Sequence, residues 1–420
     1  MTLFMAFALA VGRSQVAPEL TEPTQQEAPC PEFGTDEVSA AASRCSLLAH
    51  SGGPLDAGNH LFMSIGSLGG RDTAFNALPG LDATFEGGVL YGGLVSLKPK
   101  GFDSFENTAS VTNYHAASNP LLYMNTTAIS MNRTPTERSI VTFDVNNFFG
   151  NDAIRVVDLS GAETDVESAS YGIYSGRVLN NQATMRYTRQ STETRWWSVS
   201  VRNNFRDFID DRTQVNTMHA HAEIQFQPSP RAGGGLYEET SIQTGIVDCT
   251  SQTAGALYER NFARWMNVEG AAGPAYGSSG CINRLTAHMY GALSAKPKVS
   301  TNLWISASRQ VNDSQFAALT YENNALGGWS QHFGADTWFK VHGGWIGGTV
   351  PSGTKPFQGL FLSSTFGHSI RRGLQASFSM QHFNWSGTDN IAPSRSVFTA
   401  ALYWSPGWSE HEPNHGPAAH

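Results

Sequence analysis

The feature that most constrains this chain is a period-two alternation of apolar and polar residues, which recurs in runs of about ten to fourteen residues. Side chains alternate between the two faces of a β-strand, so this period predicts strands with one apolar and one polar face. Four segments show the pattern clearly. Their apolar faces carry Val141, Phe143, Val145 and Phe149; Trp197, Val199, Val201 and Phe205; Met218, Ala220, Ala222, Ile224 and Phe226; and Leu374, Ala376, Phe378 and Met380. An all-β fold follows.

The connections between these runs are of two kinds. Seven tight polar connections predict hairpin turns. They lie at 133–136, 191–194, 228–231, 263–264, 295–298, 334–336 and 370–373. Longer links lie at 99–118, 150–180, 207–215, 246–252, 275–283, 310–324, 348–356 and 386–394. Short turns that alternate with long loops are typical of outer-membrane barrels. Seven hairpins, a first strand at 84–98 and a last at 395–405 predict an antiparallel, up-and-down barrel of about 16 strands.

Composition narrows the class of protein. Charged residues are only 15% and mean hydropathy is -0.28, values that suit a half-polar sheet better than a bundle of membrane helices. No stretch approaches the ~20 apolar residues of a spanning helix. A membrane location therefore requires a closed barrel, because closure satisfies every backbone group in hydrocarbon. The net charge of -8 comes without a basic block, which argues against nucleic acid as a partner.

The composition also changes along the chain. Residues 3–11 form a short apolar core, so 1–20 are interpreted as a signal peptide. No Lys or Arg precedes the core, which leaves two alternatives, a wrongly assigned start or a truncated leader. Residues 21–83 are rich in Pro, Gly and acidic residues and predict a periplasmic segment or partial plug. The barrel is expected at 84–408, and 409–420 as a flexible tail.

Four cysteines form two local pairs, Cys30 with Cys45 and Cys249 with Cys281. Each pair lies in Gly, Ser and Pro-rich sequence, so disulfides in an oxidising compartment are the first interpretation. Four unpaired thiols are the alternative. Zinc binding is disfavoured because no CxxC or His spacing accompanies the cysteines.

Three polar residues on one strand face, His219, His221 and Glu223, are candidate ligands or acid-base groups. Alternate residues of a strand are about 6.5 to 7 Å apart, so a shared metal ion would require the side chains to converge. The preferred interpretation is that they line a wet lumen.

Three arginines share this inward face on neighbouring strands: Arg186, Arg202 and Arg206. The acidic groups that they face are Asp144, Glu223 and Glu239. Two hypotheses fit equally. The charges either form a constriction field that sorts solutes by charge or make internal salt bridges that brace the wall.

At the level of its repeated units the chain resembles the porin-like outer-membrane β-barrel proteins of Gram-negative bacteria. The residues that carry the resemblance are 258–265 through 273–274, 330–334 to 343–345, and the closing strand 397–406. The resemblance implies pore formation or a surface role, with lipid, lipopolysaccharide and the barrel-assembly machinery as partners. It brings no catalytic residues. The polar tail after Trp408 departs from the aromatic end that such barrels commonly have.

The leading hypothesis is passive passage of small hydrophilic solutes. The alternatives are a surface structural or adhesion barrel with a blocked lumen and, less favoured, an outer-membrane hydrolase that uses His332, His342 or His382 with a nearby Ser. The sequence contains no P-loop, Rossmann glycine fingerprint, Gly-x-Ser-x-Gly or His-Glu-x-x-His, so no cofactor is expected.

Overall fold

A computed structural model describes fifteen stretches of the chain. They are 58–74, 82–98, 100–115, 121–151, 176–229, 231–245, 248–263, 265–278, 284–298, 300–313, 319–334, 336–349, 356–371, 374–386 and 394–405. The proposed leader, the tail and most of the 21–83 segment lie outside these residues. Among the described residues, no helix is long and apolar enough to cross a membrane.

The described residues form eighteen β-strands. In chain order these are β1 (Gly58–Asp72), β2 (Ala83–Lys98), β3 (Gly101–His115), β4 (Leu121–Thr136), β5 (Ser139–Gly150), β6 (Val178–Thr192), β7 (Arg195–Phe208), β8 (Thr213–Ser229), β9 (Ala232–Thr244), β10 (Cys249–Ala263), β11 (Met266–Gly277), β12 (Arg284–Lys298), β13 (Thr301–Asp313), β14 (Leu319–Phe333), β15 (Thr337–Thr349), β16 (Pro356–Arg371), β17 (Leu374–Ser386) and β18 (Ser394–Trp404).

Each strand pairs antiparallel with its chain neighbours, and β18 pairs with β1, so the sheet closes on itself. Along the closing ladder Ile65 lies opposite Trp404, and Asp72 lies opposite Val397. The expectation of an all-β, antiparallel, up-and-down barrel is confirmed. The expected count of about 16 strands is wrong, because the described chain contains 18.

The two missed strands are β1 and β3. β1 lies within 21–83, where a periplasmic segment or plug was expected, and it replaces the strand starting near Thr84 as the closing partner of β18. Glycines obscure the alternation of both faces, with Gly69 on the outward face and Gly66 and Gly70 on the inward face. β3 lies within 99–118, which was expected to be a loop, because polar side chains occupy most positions on its inward face and half of those on its outward face.

The connections differ strongly between the two ends of the barrel. At one end seven of the eight turns contain two residues and the eighth contains three, whereas at the other end connections range from 4 to 27 residues. In barrels of this kind the short turns face the periplasm. The expected long link at 207–215 is a turn of only four residues, 209–212, because β7 and β8 extend further than their alternation suggests.

The outer surface carries an apolar belt. Cross-strand register aligns one row of it over β4 to β7. Its side chains are Met131, Phe143, Met185 and Val201, from 38% to 56% exposed. Because large apolar side chains face outward all round a closed sheet, lipid is the solvent that matches this surface. The apolar faces of the four alternating segments point outward as expected.

Inward aromatic rings pack closely against glycines of a neighbouring strand. The Trp304 indole covers Gly328, and the Trp338 indole covers Gly367, so closely that an added Cβ would overlap with the ring. Only a residue without a side chain permits this approach. The glycines therefore let large rings line the wall instead of projecting into the lumen.

A buried ion pair joins the two ends of the barrel sequence. Arg395 on β18 donates to both carboxylate oxygens of Asp72 on β1, at 3.1 and 2.6 Å. The Asp72 side chain is fully buried and that of Arg395 is 11% exposed. Asp72 also accepts from the hydroxyl of Tyr114 at 3.4 Å and from the backbone N–H of Ala74 at 3.1 Å. The carboxylate thus joins β18, β1 and β3 across the closing seam.

We expect Arg395→Ala to destabilise the closed barrel by about 3–5 kcal/mol, because it leaves the Asp72 carboxylate buried without its cation. The temperature at which the folded, fast-migrating form unfolds on a semi-native gel measures this effect. Arg71→Gln is the matched control. It removes an exposed pair with Asp82 from the same strand end, and exposed pairs contribute little. Equal unfolding temperatures for both variants would contradict a closing role for Asp72.

Candidate functional site

The polar wall of the lumen is densest on β5 to β9, where cross-strand register arranges charged side chains in two adjacent rows. The first row comprises Asp144, Thr184, Arg202, His219 and Ser241. The second comprises Thr142, Arg186, Ser200, His221 and Glu239. Alternate residues along each strand separate the rows by about 6.5 to 7 Å. All these side chains share the face opposite to the apolar belt.

Each of the three carboxylates Asp144, Glu223 and Glu239 accepts a hydrogen bond from a serine hydroxyl. Ser130 donates to Asp144 at 2.6 Å, and Ser198 donates to Glu223 at 2.9 Å. Ser241 donates to Glu239 at 3.3 Å. Ser130 and Ser198 lie on the strand next to the acid that they contact, and Ser241 lies two residues from Glu239 on β9, so short side chains fix the acids against the wall. Charge-assisted hydrogen bonds of this kind set the orientation of each carboxylate.

The two histidines have different surroundings. His219 is bonded through Nδ1 to the Ser241 hydroxyl at 2.7 Å and lies 3.8 Å from Glu239. The Nδ1 atom of His221 lies 3.9 Å from Glu239, and neither of its ring nitrogens makes a hydrogen bond within the described chain. His221 is only 3% exposed. Buried polar atoms without hydrogen-bond partners are rare in folded proteins, which sets His221 apart from His219.

The structure brings some of the expected lumen residues together and separates others. Arg186 and Arg202 occupy the two rows beside the histidines. Arg206 is buried further toward the long-loop end of β7, and Glu223 lies toward the short-turn end of β8. Within the described residues, no three His, Cys, Asp or Glu side chains converge on a position that could hold a metal ion.

A second polar group on the inner wall of β9 to β12 was missed. The Tyr237 hydroxyl bonds His288 Nδ1, and the Tyr290 hydroxyl donates to Glu269 at 2.6 Å. Asn267 donates to Glu259 at 2.8 Å. Gly and Ala on the outer faces of these strands hide the alternation, which is the signal that could have located the group.

The wall near the closing seam carries an apolar cluster beside the Asp72–Arg395 ion pair. Its buried side chains pack together close to the long-loop end of β18 and β1 to β4. They are Leu68, Ala83, Phe85, Val89, Tyr114, Leu122 and Val397. Phe85 and Tyr114 stack with ring centroids 5.1 Å apart. One side of the lumen thus carries an apolar cluster, whereas the side formed by β5 to β9 carries charged side chains.

Among the histidines considered for hydrolysis, His382 does not form a catalytic triad in the described chain. A triad needs Ser on one ring nitrogen and an acid or amide on the other. His382 Nδ1 bonds the Ser396 hydroxyl at 2.8 Å on the outward face, but its other nitrogen makes no hydrogen bond among the described residues. His342 packs against the Phe361 ring, with centroids 6.1 Å apart, and His332 is exposed at the short-turn end of β14.

The cysteines lie mostly outside the described residues. Cys249 at the start of β10 is disulfide-bonded. Its expected partner, Cys281, and the expected pair of Cys30 and Cys45 fall outside the described ranges. Both pairings stay predictions.

Comparison with known proteins gives structural neighbours only. No family model and no curated protein sequence matches the chain. The OccK2 (OpdF) structure of Pseudomonas aeruginosa in complex with glucuronate aligns at a TM-score of 0.46 and 8% identity, covering 83% of this chain and 98% of that one. Acinetobacter baumannii OccAB4 aligns at 0.43 and 7%, with coverage of 83% and 98%.

A third neighbour is the siderophore receptor PirA from Pseudomonas aeruginosa, with a TM-score of 0.41, 7% identity and coverage of 84% of this chain and 81% of that one. The architecture itself is established by the strand pairing of this chain. A closed antiparallel barrel with an outward apolar belt is the architecture of an outer-membrane protein.

Proposed function

We propose that the protein is a passive channel for small hydrophilic solutes across the outer membrane. The observation that carries this proposal is the size and polarity of the barrel. Eighteen strands enclose an interior of the width that forms an aqueous channel in porins. Polar and charged side chains line the inner wall, which apolar solutes would not require.

The charged wall of β5 to β9 supports discrimination between solutes by charge. Arg186 and Arg202 lie on the inner wall in the two adjacent rows, near His221. Cationic side chains in a narrow, low-dielectric pore attract anions more strongly than they would in water. We therefore favour a selectivity role for these arginines over a purely bracing role.

The first test is conductance of the folded protein in a planar lipid bilayer. We expect stepwise ion conductance from protein that shows heat-modifiable migration on a gel. Folded protein that never conducts would contradict the channel and favour a structural barrel with a blocked lumen.

For selectivity, we expect Arg186→Gln combined with Arg202→Gln to lower the chloride-to-potassium permeability ratio several-fold, because two inward cations are lost. The reversal potential in a potassium chloride gradient measures this ratio. Arg189→Gln is the matched control, since Arg189 lies on the outward face of the same strand as Arg186. An unchanged ratio in the double variant would mean that these arginines only brace the wall.

A second variant tests whether the glycines keep the pore open. A Cβ at Gly367 would overlap with the Trp338 indole, so Gly367→Ala should displace the ring toward the lumen and lower single-channel conductance. Gly291→Ala is the control, because nothing lies within 4 Å of a Cβ added there. Equal conductance of both variants would contradict the assigned position of the ring.

A further inference from the structure

A charged side chain, that of Glu238, lies on the outer surface in the middle of the apolar belt. Glu238 lies midway along β9, between Ala232 and Thr244. Its neighbours Tyr237 and Glu239 face inward, so alternation directs Glu238 outward. No hydrogen bond or ion pair of its carboxylate occurs within the described chain. A carboxylate facing hydrocarbon without a partner is unfavourable, which indicates that something other than lipid covers it.

The surroundings of Glu238 fit a protein surface. Ala222 and Ala254 lie directly opposite it on the two adjacent strands. Short side chains therefore flank the Glu238 carboxylate on both sides, and Ala222 is itself only 5% exposed. Large exposed side chains lie further out on β8 to β11: Met218, Ile224, Leu236, Ile242, Tyr258 and Tyr276. Small residues at a membrane interface allow two backbones to approach closely.

A complementary set of donors lies on another part of the same outer surface. Asn147 on β5 faces outward opposite Asn181 on β6. Neither amide makes a side-chain hydrogen bond within the part of the chain that the structure describes, whereas the nearby amides of Asn107 and Asn125 bond each other at 3.2 Å. Two side-chain amides on the lipid-facing surface therefore have N–H groups that can donate hydrogen bonds to a carboxylate.

The heights of the two patches match. Counted from the short-turn end of each strand, Glu238 is the seventh residue of β9 and Asn147 is the ninth of β5. The strand rise and tilt place them within roughly 5 Å of each other in height. They lie four strands apart out of eighteen. The two patches can therefore contact two different neighbours at the same level of the membrane.

We propose that this surface binds a second copy of the chain, with Glu238 of one barrel accepting hydrogen bonds from Asn147 and Asn181 of the next. Because the two patches differ, the contact is head-to-tail, and repetition around an axis closes a ring of few subunits. The Glu238 carboxylate and the two amides are then buried in the contact between barrels. None of them is exposed to hydrocarbon without a hydrogen-bond partner.

Cysteine cross-linking in intact outer membranes tests this contact. A chain carrying both Ala254→Cys and Asn147→Cys should give cross-linked species larger than a dimer with a short bifunctional thiol reagent. Either cysteine alone should give none. A chain carrying Ala307→Cys and Asn147→Cys is the control, since Ala307 faces outward on the distant strand β13. This control should give no cross-linked species.

Glu238→Ala should lower the oligomeric fraction several-fold on a non-denaturing gel, while its heat-modifiable migration shows that the barrel still folds. Glu86→Ala, which removes an outward carboxylate near the long-loop end of β2, should leave the fraction unchanged. A monomer in mild detergent without cross-links, a dimer from Ala254→Cys alone, or cross-links only to a different protein would each overturn the proposal.

Discussion

Every strand in a bilayer needs a partner on both sides, because hydrocarbon offers no substitute for a backbone hydrogen bond. In this chain the requirement is met by the ladder between β1 and β18, which joins residues more than three hundred positions apart. Arg395 and Asp72 add a buried ion pair at the same seam. The apolar belt, the polar lumen and the even strand number all presuppose that this ladder forms.

The sequence predicted the all-β barrel architecture correctly, but it did not predict the number of strands. Where one face is apolar and the other polar, as around Phe143 and Val201, alternation was enough to assign both strand and face. β3 was lost because its outward face carries Asp103, Asn107 and Asn113 among few apolar residues. β1 was lost because Gly has no side chain with which to mark a face. Both strands are defined by pairing with their neighbours, which depends on contacts between distant parts of the chain.

The candidate site was also predicted only in part: the inward direction of its side chains was predicted, and their contacts were not. The inward direction of Asp144, Arg202 and His221 followed from alternation alone, since each lies beside an outward apolar residue. The pairing of Ser130 with Asp144 and of Ser198 with Glu223 depends on cross-strand register, and a single sequence does not specify register when loops vary in length. The Tyr237 and His288 pair, which spans β9 to β12, was hidden for the same reason.

The central claim is that side chains alternate between lipid and lumen around a closed wall. Single cysteines at successive positions from Val141 to Asn147 and from Val199 to Phe205 test it most directly, using a water-soluble thiol reagent on protein in lipid vesicles. We expect labelling with a period of two, strong at Thr142, Asp144 and Arg202 and absent at Phe143 and Val201. Uniform labelling, or labelling at Phe143 and Val201 instead, would contradict the account.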